Sequence, residues 1–149
     1  MSETYKMAKS FKWKYPLTVA WRIRQHCKII DKHLNPDETV KYVFLGQKNN
    51  GALDFTNTNV VVLTNKRLML ATKRLLFGYF FTSITPDMFN DLTIKKNIIW
   101  GRVIIDTIKE EVSLSNISPN ALPEIETNVV TNMMKEKRKY AERFDQKKK

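Results

Sequence analysis

The residue types that could ligate a metal lie close together near the N-terminus. They are His26, Cys27 and His33, which include both histidines and the single cysteine of the chain. A zinc-binding helix usually spaces its histidines four residues apart, whereas these two are seven apart and no second group of ligands follows. Cys27 falls on an apolar stripe, where cysteine acts as a small hydrophobic residue. The sequence therefore predicts no metal site and no cofactor.

Residues suited to catalysis are similarly scattered. Glu110 and Glu111 are adjacent, so in a strand they point to opposite faces and do not form a carboxylate pair. The four glycines, at positions 46, 51, 78 and 101, are too far apart to form a glycine-rich phosphate loop. We predict a non-enzymatic protein without a small-molecule substrate.

The stretch "SFKWKYP" at residues 10–16 alternates aromatic rings with lysines. In an extended strand Phe11, Trp13 and Tyr15 would share one face, with Lys12 and Lys14 on the other. Three readings fit this pattern: a surface for a membrane interface, a surface for a nucleic acid, or a plain edge strand. We expect the rings to tie the N-terminus onto the folded body, with Trp13 mostly buried.

Positive charge is concentrated at the two ends of the chain. The net charge is +11, of which residues 1–34 carry +6, residues 35–117 carry +2 and residues 118–149 carry +3. Basic flanks around a nearly neutral body favour a scaffold with charged extensions over a nucleic-acid-binding domain, which often has its basic stripe on the body. The candidate residues for binding a partner or a lipid are Lys12, Trp13, Lys14, Arg22, Arg24, Lys28, Lys66, Lys73 and Arg74.

Hydrophobic periodicity indicates the elements that position these residues. Between Pro16 and Pro36 it predicts an amphipathic helix with the apolar residues Val19, Ile23, Cys27, Ile30 and Leu34. From Thr39 to Ile117, seven short β-branched or aromatic runs separated by turn residues predict antiparallel strands, with "IIWGRVIIDTIK" as the sixth. A C-terminal helix follows, with its apolar stripe at Leu122, Ile125, Val129 and Met133.

Two motifs give the chain a family resemblance. The first is the hairpin "LTNKRL" at residues 63–68, and the second is the later strand with Trp100, Gly101, Ile104 and Thr107. Together they resemble the bacterial pleckstrin-homology (PH) domain family over residues 34–134. Asn65 suits a tight turn because asparagine tolerates left-handed backbone angles, and Gly101 suits a bend or a close backbone approach. We expect Arg67 to pack and hydrogen bond within the hairpin.

The resemblance implies a fold of mainly β structure. It would be a PH-like barrel of about seven antiparallel strands in two orthogonal sheets, capped by the C-terminal helix and preceded by the extra amphipathic helix. The organisation then becomes residues 1–34 as a basic N-terminal segment, 35–134 as the PH-like domain and 135–149 as a charged extension. The loop after the first strand offers only Lys48 as a basic residue and also holds Asp54, which argues against a multi-point phosphate clamp.

Three functions fit these features. The resemblance favours a binding or assembly module that recognises a protein partner or its own copies, through sheet edges and the groove beside the C-terminal helix. A peripheral membrane protein that binds anionic lipid through its N-terminal segment is the alternative, and nucleic-acid binding through the basic flanks is third. No apolar signal segment or bilayer-length run is present, so we expect a cytoplasmic protein, with the inner face of the membrane as a second location.

Overall fold

The computed structural model describes residues 1–48 and 57–148. Two helices precede seven strands, and a long helix follows them. Short 3₁₀ turns at Pro86–Met88 and Pro119–Ala121 come before the fifth strand and before the last helix. The elements are α1 (Glu3–Lys14), α2 (Ile23–His33), β1 (Val40–Lys48), β2 (Thr58–Thr64), β3 (Leu68–Lys73), β4 (Tyr79–Ile84), β5 (Phe89–Lys96), β6 (Gly101–Thr107), β7 (Glu111–Ile117) and α3 (Leu122–Lys148).

All seven described strands pair antiparallel, as predicted. Hydrogen bonds join them into one sheet with the order β4-β3-β2-β1-β7-β6-β5, so β4 and β5 are its edges. The sheet is open between those two strands. The seven antiparallel strands and the C-terminal helix are confirmed, whereas the packing of the strands as two orthogonal sheets stays a prediction. Most of the loop predicted after the first strand, residues 49–56 with Asp54, lies outside the described residues.

A segment from the N-terminal region crosses the sheet where β1 and β7 diverge. These two strands pair only at the last two residues of β1. The Val19 amide donates to the Asn116 carbonyl at 2.9 Å, and the Gln47 side chain donates to the Val19 carbonyl at 2.9 Å. The Ser118 amide donates to the Thr18 hydroxyl at 2.9 Å. The N-terminal segment is therefore bonded to both strands.

The structure corrects the prediction of an extended "SFKWKYP". Residues up to Lys14 belong to α1, which begins after Ser2, whose hydroxyl accepts from the Tyr5 amide at 3.2 Å. Helical spacing places Phe11 on the buried face, while Trp13 points to solvent with 88% of its surface exposed. The prediction that the segment docks is correct for Phe11 and wrong for Trp13. Rings and lysines alternate over only a few residues, and such a short run fits the spacing of a helix as well as that of a strand.

The second helix is shorter than predicted at its start. It begins at Ile23, because Val19 lies before the helix and its amide is bonded to the sheet. Arg22 precedes the helix in the left-handed conformation, with φ of 54°. The buried residues of α2 include Cys27 and Ile30, as the apolar stripe predicted. The helix packs on β3 and β2, and α1 packs on β1.

Helix α3 covers the part of the sheet that ends at β5. Its residues Leu122, Ile125, Val129 and Met133 are all buried, which confirms the predicted apolar stripe. The helix packs against β5 and the 3₁₀ turn before it. At its start Leu122 fills the space above Gly101, where an added Cβ would lie 2.5 Å from the Leu122 Cδ1 atom. Gly101 therefore permits a close approach between helix and strand, as predicted.

Candidate functional site

His26 is a buried structural histidine. Its Nε2 atom lies 2.9 Å from the Trp21 carbonyl, and its Nδ1 atom accepts a hydrogen bond from the Lys73 amide at 2.8 Å. A neutral ring with its proton on Nε2 satisfies both contacts. Burial lowers the pKa of His26 to about 4; the bond to Trp21 opposes this shift and the charge of Arg22 adds to it. Both ring nitrogens thus hold the start of α2 to the end of β3.

The other predicted ligand types do not join His26 in a site. Cys27 is buried, and burial raises the pKa of its thiol to about 12, which leaves it protonated near neutral pH. The His33 ring stacks on Phe81 with centroids 3.9 Å apart, and its Nδ1 atom contacts the Ile29 carbonyl at 2.8 Å. Within residues 1–48 and 57–148, no group of three or more His, Cys, Asp or Glu residues is arranged to hold a metal.

Arg67 fastens the β2–β3 hairpin to the segment that follows α2. Its Nε atom donates to the Glu38 carboxylate at 2.9 Å, and its Nη2 atom donates to the His33 carbonyl at 2.6 Å. Burial would raise the pKa of Glu38, but hydrogen bonds from Arg67 and Thr64 hold it below its usual value. Arg67 is therefore a packing and hydrogen-bonding residue, as expected.

Asn65 serves the same hairpin through its side chain. Its Oδ1 atom accepts from the Thr39 amide at 2.8 Å, and its Nδ2 atom donates to the Asp37 carbonyl at 3.3 Å. The expectation of a left-handed backbone at this position is wrong, because the non-glycine residues with positive φ in the described chain are Arg22 and Asn116. Hydrogen bonds from the Asn65 side chain to the preceding segment therefore hold this hairpin in place.

Three of the predicted binding residues are occupied by partners within the chain. Lys12 donates to the carbonyls of Pro16 at 2.9 Å and Thr18 at 2.5 Å, and burial lowers its pKa. Lys14 donates to Glu124 at 2.7 Å, and this hydrogen bond raises the pKa of Lys14. Lys66 pairs with Asp37. These lysines have roles in the fold itself.

Three other candidates lie at the β3–β4 hairpin, namely Arg22, Lys73 and Arg74. Arg22 donates from Nη1 to the Lys73 carbonyl at 3.1 Å, which brings the N-terminus of α2 to the end of β3. The Arg74 guanidinium lies over the Phe80 ring, 5.4 Å from its centroid. The remaining candidates lie elsewhere: Trp13 and Lys28 are exposed, and Arg24 lies over the Tyr5 ring.

Sequence reasoning missed the apolar tip of that hairpin. Leu75, Leu76 and Phe77 form its turn and are 80%, 81% and 82% exposed. The sequence signal was available: "LLF" stands between two predicted strands and just before Gly78, which has φ of 75°. Three consecutive solvent-exposed apolar residues in a turn are unusual, because turns are generally polar.

A second exposed apolar turn connects β5 and β6. The sequence predicted a strand from Ile98, but Ile98 and Ile99 lie in the turn and are exposed, and β6 begins at Gly101. The amide of Asn97 donates to the Trp100 carbonyl at 3.0 Å across this turn. Trp100 itself donates from Nε1 to the Leu17 carbonyl at 2.9 Å. This tip is therefore tied to the segment that follows α1.

The two sheet edges differ in composition. Edge strand β4 reads "YFFTSI" and has no charged residue, whereas edge strand β5 reads "FNDLTIKK". Helix α3 packs on β5, and Lys137 donates to the Phe89 carbonyl at 2.6 Å. No described strand pairs with the outer side of β4.

The described helices include none that is long and apolar enough to cross a bilayer. No curated protein matches the chain. The pattern of the family described as bacterial PH domain matches residues 34–132, which covers the whole sheet and the first residues of α3. Proteins with this fold are typically binding modules without catalytic activity. With the antiparallel sheet, the C-terminal helix and the Arg67 hairpin in place, the chain belongs to the bacterial PH domain family.

Proposed function

We propose that this chain is a non-enzymatic assembly module that pairs with a second copy of itself through the edge of β4. The observation that carries the proposal is the open, uncharged edge of that strand. An edge strand presents a row of backbone donors and acceptors to any incoming strand. Natural sheets usually protect such an edge with charge, proline or a covering element, and β4 has none of these among the described residues.

The available backbone groups belong to alternate residues of β4. The amide of Arg74 donates to the Gly78 carbonyl at 3.0 Å, which sets the hydrogen-bonded pairs of β3 and β4 at every second residue from Gly78. The amides and carbonyls of Tyr79, Phe81 and Ser83 therefore point away from β3. These three residues would form the new ladder.

Charge complementarity favours a second copy as the incoming strand. An antiparallel pair centred on Phe81 sets Tyr79 of one copy opposite Ser83 of the other. Arg74 lies opposite Gly78 on the other arm of the hairpin, and Asp87 follows the far end of β4. Antiparallel pairing therefore places the Arg74 end of one copy beside the Asp87 end of the other. Both side chains are exposed, and a two-fold axis would produce this arrangement twice. A self-complementary strand thus has basic and acidic groups at its opposite ends.

Sedimentation at low salt over a range of concentrations tests the proposal. We expect wild type to form dimers, and Arg74→Glu or Asp87→Lys alone to weaken dimerisation by about tenfold, because each change places like charges together twice. The combined variant should recover most of the affinity. Raising the salt concentration should weaken the wild-type dimer, since these charges are exposed.

Tyr79→Pro provides a test independent of charge. It removes an outward-facing amide, so it should abolish the dimer and leave the monomer folded, as judged by its thermal melt. A monomeric wild type at all concentrations would overturn self-association. A dimer unaffected by Tyr79→Pro would place the interface elsewhere and overturn the role of β4.

A further inference from the structure

We infer that the groove between α1 and α2 is a binding site for single-stranded nucleic acid. Two cavities of about 480 Å³ and about 350 Å³ lie along α1, and both are lined by Tyr5 and Lys9, so they form one groove. A helix rises about 1.5 Å per residue, which makes the groove about 17 Å long between Ser2 and Trp13. Its lining residues all precede residue 34, where the match to the family pattern begins.

Two aromatic rings offer stacking faces in this groove. Trp13 has 88% of its surface exposed, and the half-buried Tyr5 lines the same cavity. Pro16 and Ile23 complete the apolar wall. A base of a single strand can stack on an exposed ring whatever its identity, whereas the bases of a duplex already stack on one another. The two rings therefore favour a single strand over a duplex.

Basic groups lie next to the rings, as the phosphates of a strand require. The Lys9 Nζ atom and the Arg24 Cζ atom each lie 5.9 Å from the centroid of the Tyr5 ring, and Lys28 lines the smaller cavity. Within residues 1–48 and 57–148, none of these three cations forms an ion pair with a carboxylate. Asp31 is the one carboxylate among the residues that line the two cavities, against four basic side chains. A basic groove with stacking rings is the arrangement that binds single strands without sequence preference.

This site is independent of the proposed dimer. The groove is formed by α1 and α2, and none of its lining residues belongs to β4. The Tyr79→Pro variant, designed to be monomeric, should therefore bind a strand as tightly as wild type does. Failure of dimerisation would leave this inference untouched.

Fluorescence anisotropy with a labelled oligothymidylate of about 12 nucleotides tests the site. We expect saturable binding at low salt, and binding at least about tenfold weaker for a duplex of the same length. Trp13→Ala should weaken binding of the strand by at least about fivefold, because one stacked base is lost. The thermal melt should not change, since the ring is exposed.

Trp21→Ala is the matched control for the ring. Trp21 is 61% exposed but lines a different cleft, at the β3–β4 hairpin. Its loss should leave binding of the strand within about twofold of wild type.

Salt dependence tests the basic groups separately. Each phosphate in contact with a cation of the protein contributes about 0.7 to the slope of log affinity against log salt concentration. Arg24→Gln with Lys28→Gln should therefore reduce this slope by about 1.4. Lys95→Gln with Lys96→Gln removes the same charge from exposed residues of β5 and should leave the slope unchanged.

The inference is overturned if wild type does not bind the strand, if the duplex binds as tightly, or if Trp13→Ala binds like wild type. Equal losses in Trp13→Ala and Trp21→Ala, or equal changes of slope in the two double variants, would also contradict it. Displacement of the strand by equimolar thymidine monophosphate would indicate a nucleotide site instead. Binding to phosphatidylglycerol vesicles that is lost in Trp13→Ala would indicate a membrane site, and either of these results would overturn the inference.

Discussion

The edge strands β4 and β5 end the same sheet, yet they are protected very differently. Edge strand β5 carries Asp91, Lys95 and Lys96, and α3 covers it. Edge strand β4 carries no charge and is preceded by exposed aromatic and aliphatic residues in its hairpin turn. Charged or covered edges resist pairing, whereas bare ones accept a strand. The difference supports the proposal that the β4 edge pairs with a second copy, while the β5 edge is closed by charge and by α3.

The largest effect on stability is expected in the part of the molecule where α3 packs on β5. Val129→Asp should lower the free energy of unfolding by about 4 kcal/mol, because a carboxylate would be buried without a partner. Chemical denaturation measures this loss. Thr131→Asp, on the exposed side of the same helix, is the control and should cost less than about 1 kcal/mol. Equal free energies of unfolding for the two variants would mean that α3 does not pack on β5.

Helix α1 packs on β1, in the part of the sheet that ends at β4, and provides the corresponding test there. Phe11→Ala should lower the free energy of unfolding by about 3 kcal/mol, since its buried ring packs near Tyr15 and Phe44. Trp13→Ala should change it by less than about 0.5 kcal/mol, because the ring is exposed. The pair distinguishes a helical N-terminus from an extended one, for which Trp13 would be the costlier loss.

The free energy of unfolding should depend on pH through His26, which is bonded to the base of the β3–β4 hairpin. Its pKa in the folded chain is about 4, below the ordinary value of 6.5, so folding favours the neutral ring. This stability is fully present above pH 6.5 and is lost as the pH falls toward 4. Between pH 7.5 and 5 we expect a loss of about 2 kcal/mol in the free energy of unfolding.

Denaturant titrations at several pH values measure this loss. The His26→Gln variant should show a flatter dependence over the same range, whatever its absolute stability. The carboxyls of Glu38 and Glu124 also have lowered pKa values, and their stability is lost at more acidic pH. A wild-type slope no steeper than that of the variant would contradict the assignment of His26.

The sequence allowed most of the scaffold to be predicted because its periodicities are long. Seven runs of β residues and the stripe from Leu122 to Met133 required no tertiary information. The short stretch around Trp13 was misassigned because a few alternating residues fit a strand and a helix equally well. The start of α2 was also missed, since the bond between Val19 and Asn116 is a tertiary contact that local spacing does not reveal.

The candidate surfaces were harder to predict than the fold. Charge pointed to eight residues and aromatic character to Trp13, but the carboxylates of Glu124 and Asp37 pair with two of those lysines. The exposed turn at Ile98 and Ile99 was missed because these apolar residues were read as the start of the following strand. Which strands end the sheet depends on topology, so the bare edge of β4 could be recognised only from the pairing order.

The most direct test of self-association is a cysteine cross-link in the proposed register. Tyr79→Cys and Ser83→Cys are purified separately and mixed under mild oxidation. Opposite residues of a bonded antiparallel pair lie about 5.5 Å apart at their Cα atoms, within the range of a disulfide. We use Thr93→Cys on β5 as the exposed control, and native Cys27 is buried.

The account predicts a covalent dimer in the mixture of Tyr79→Cys and Ser83→Cys, and little from either variant alone or from mixtures containing Thr93→Cys. Absence of a dimer in the first mixture, or equal cross-linking in all of them, would contradict pairing through β4.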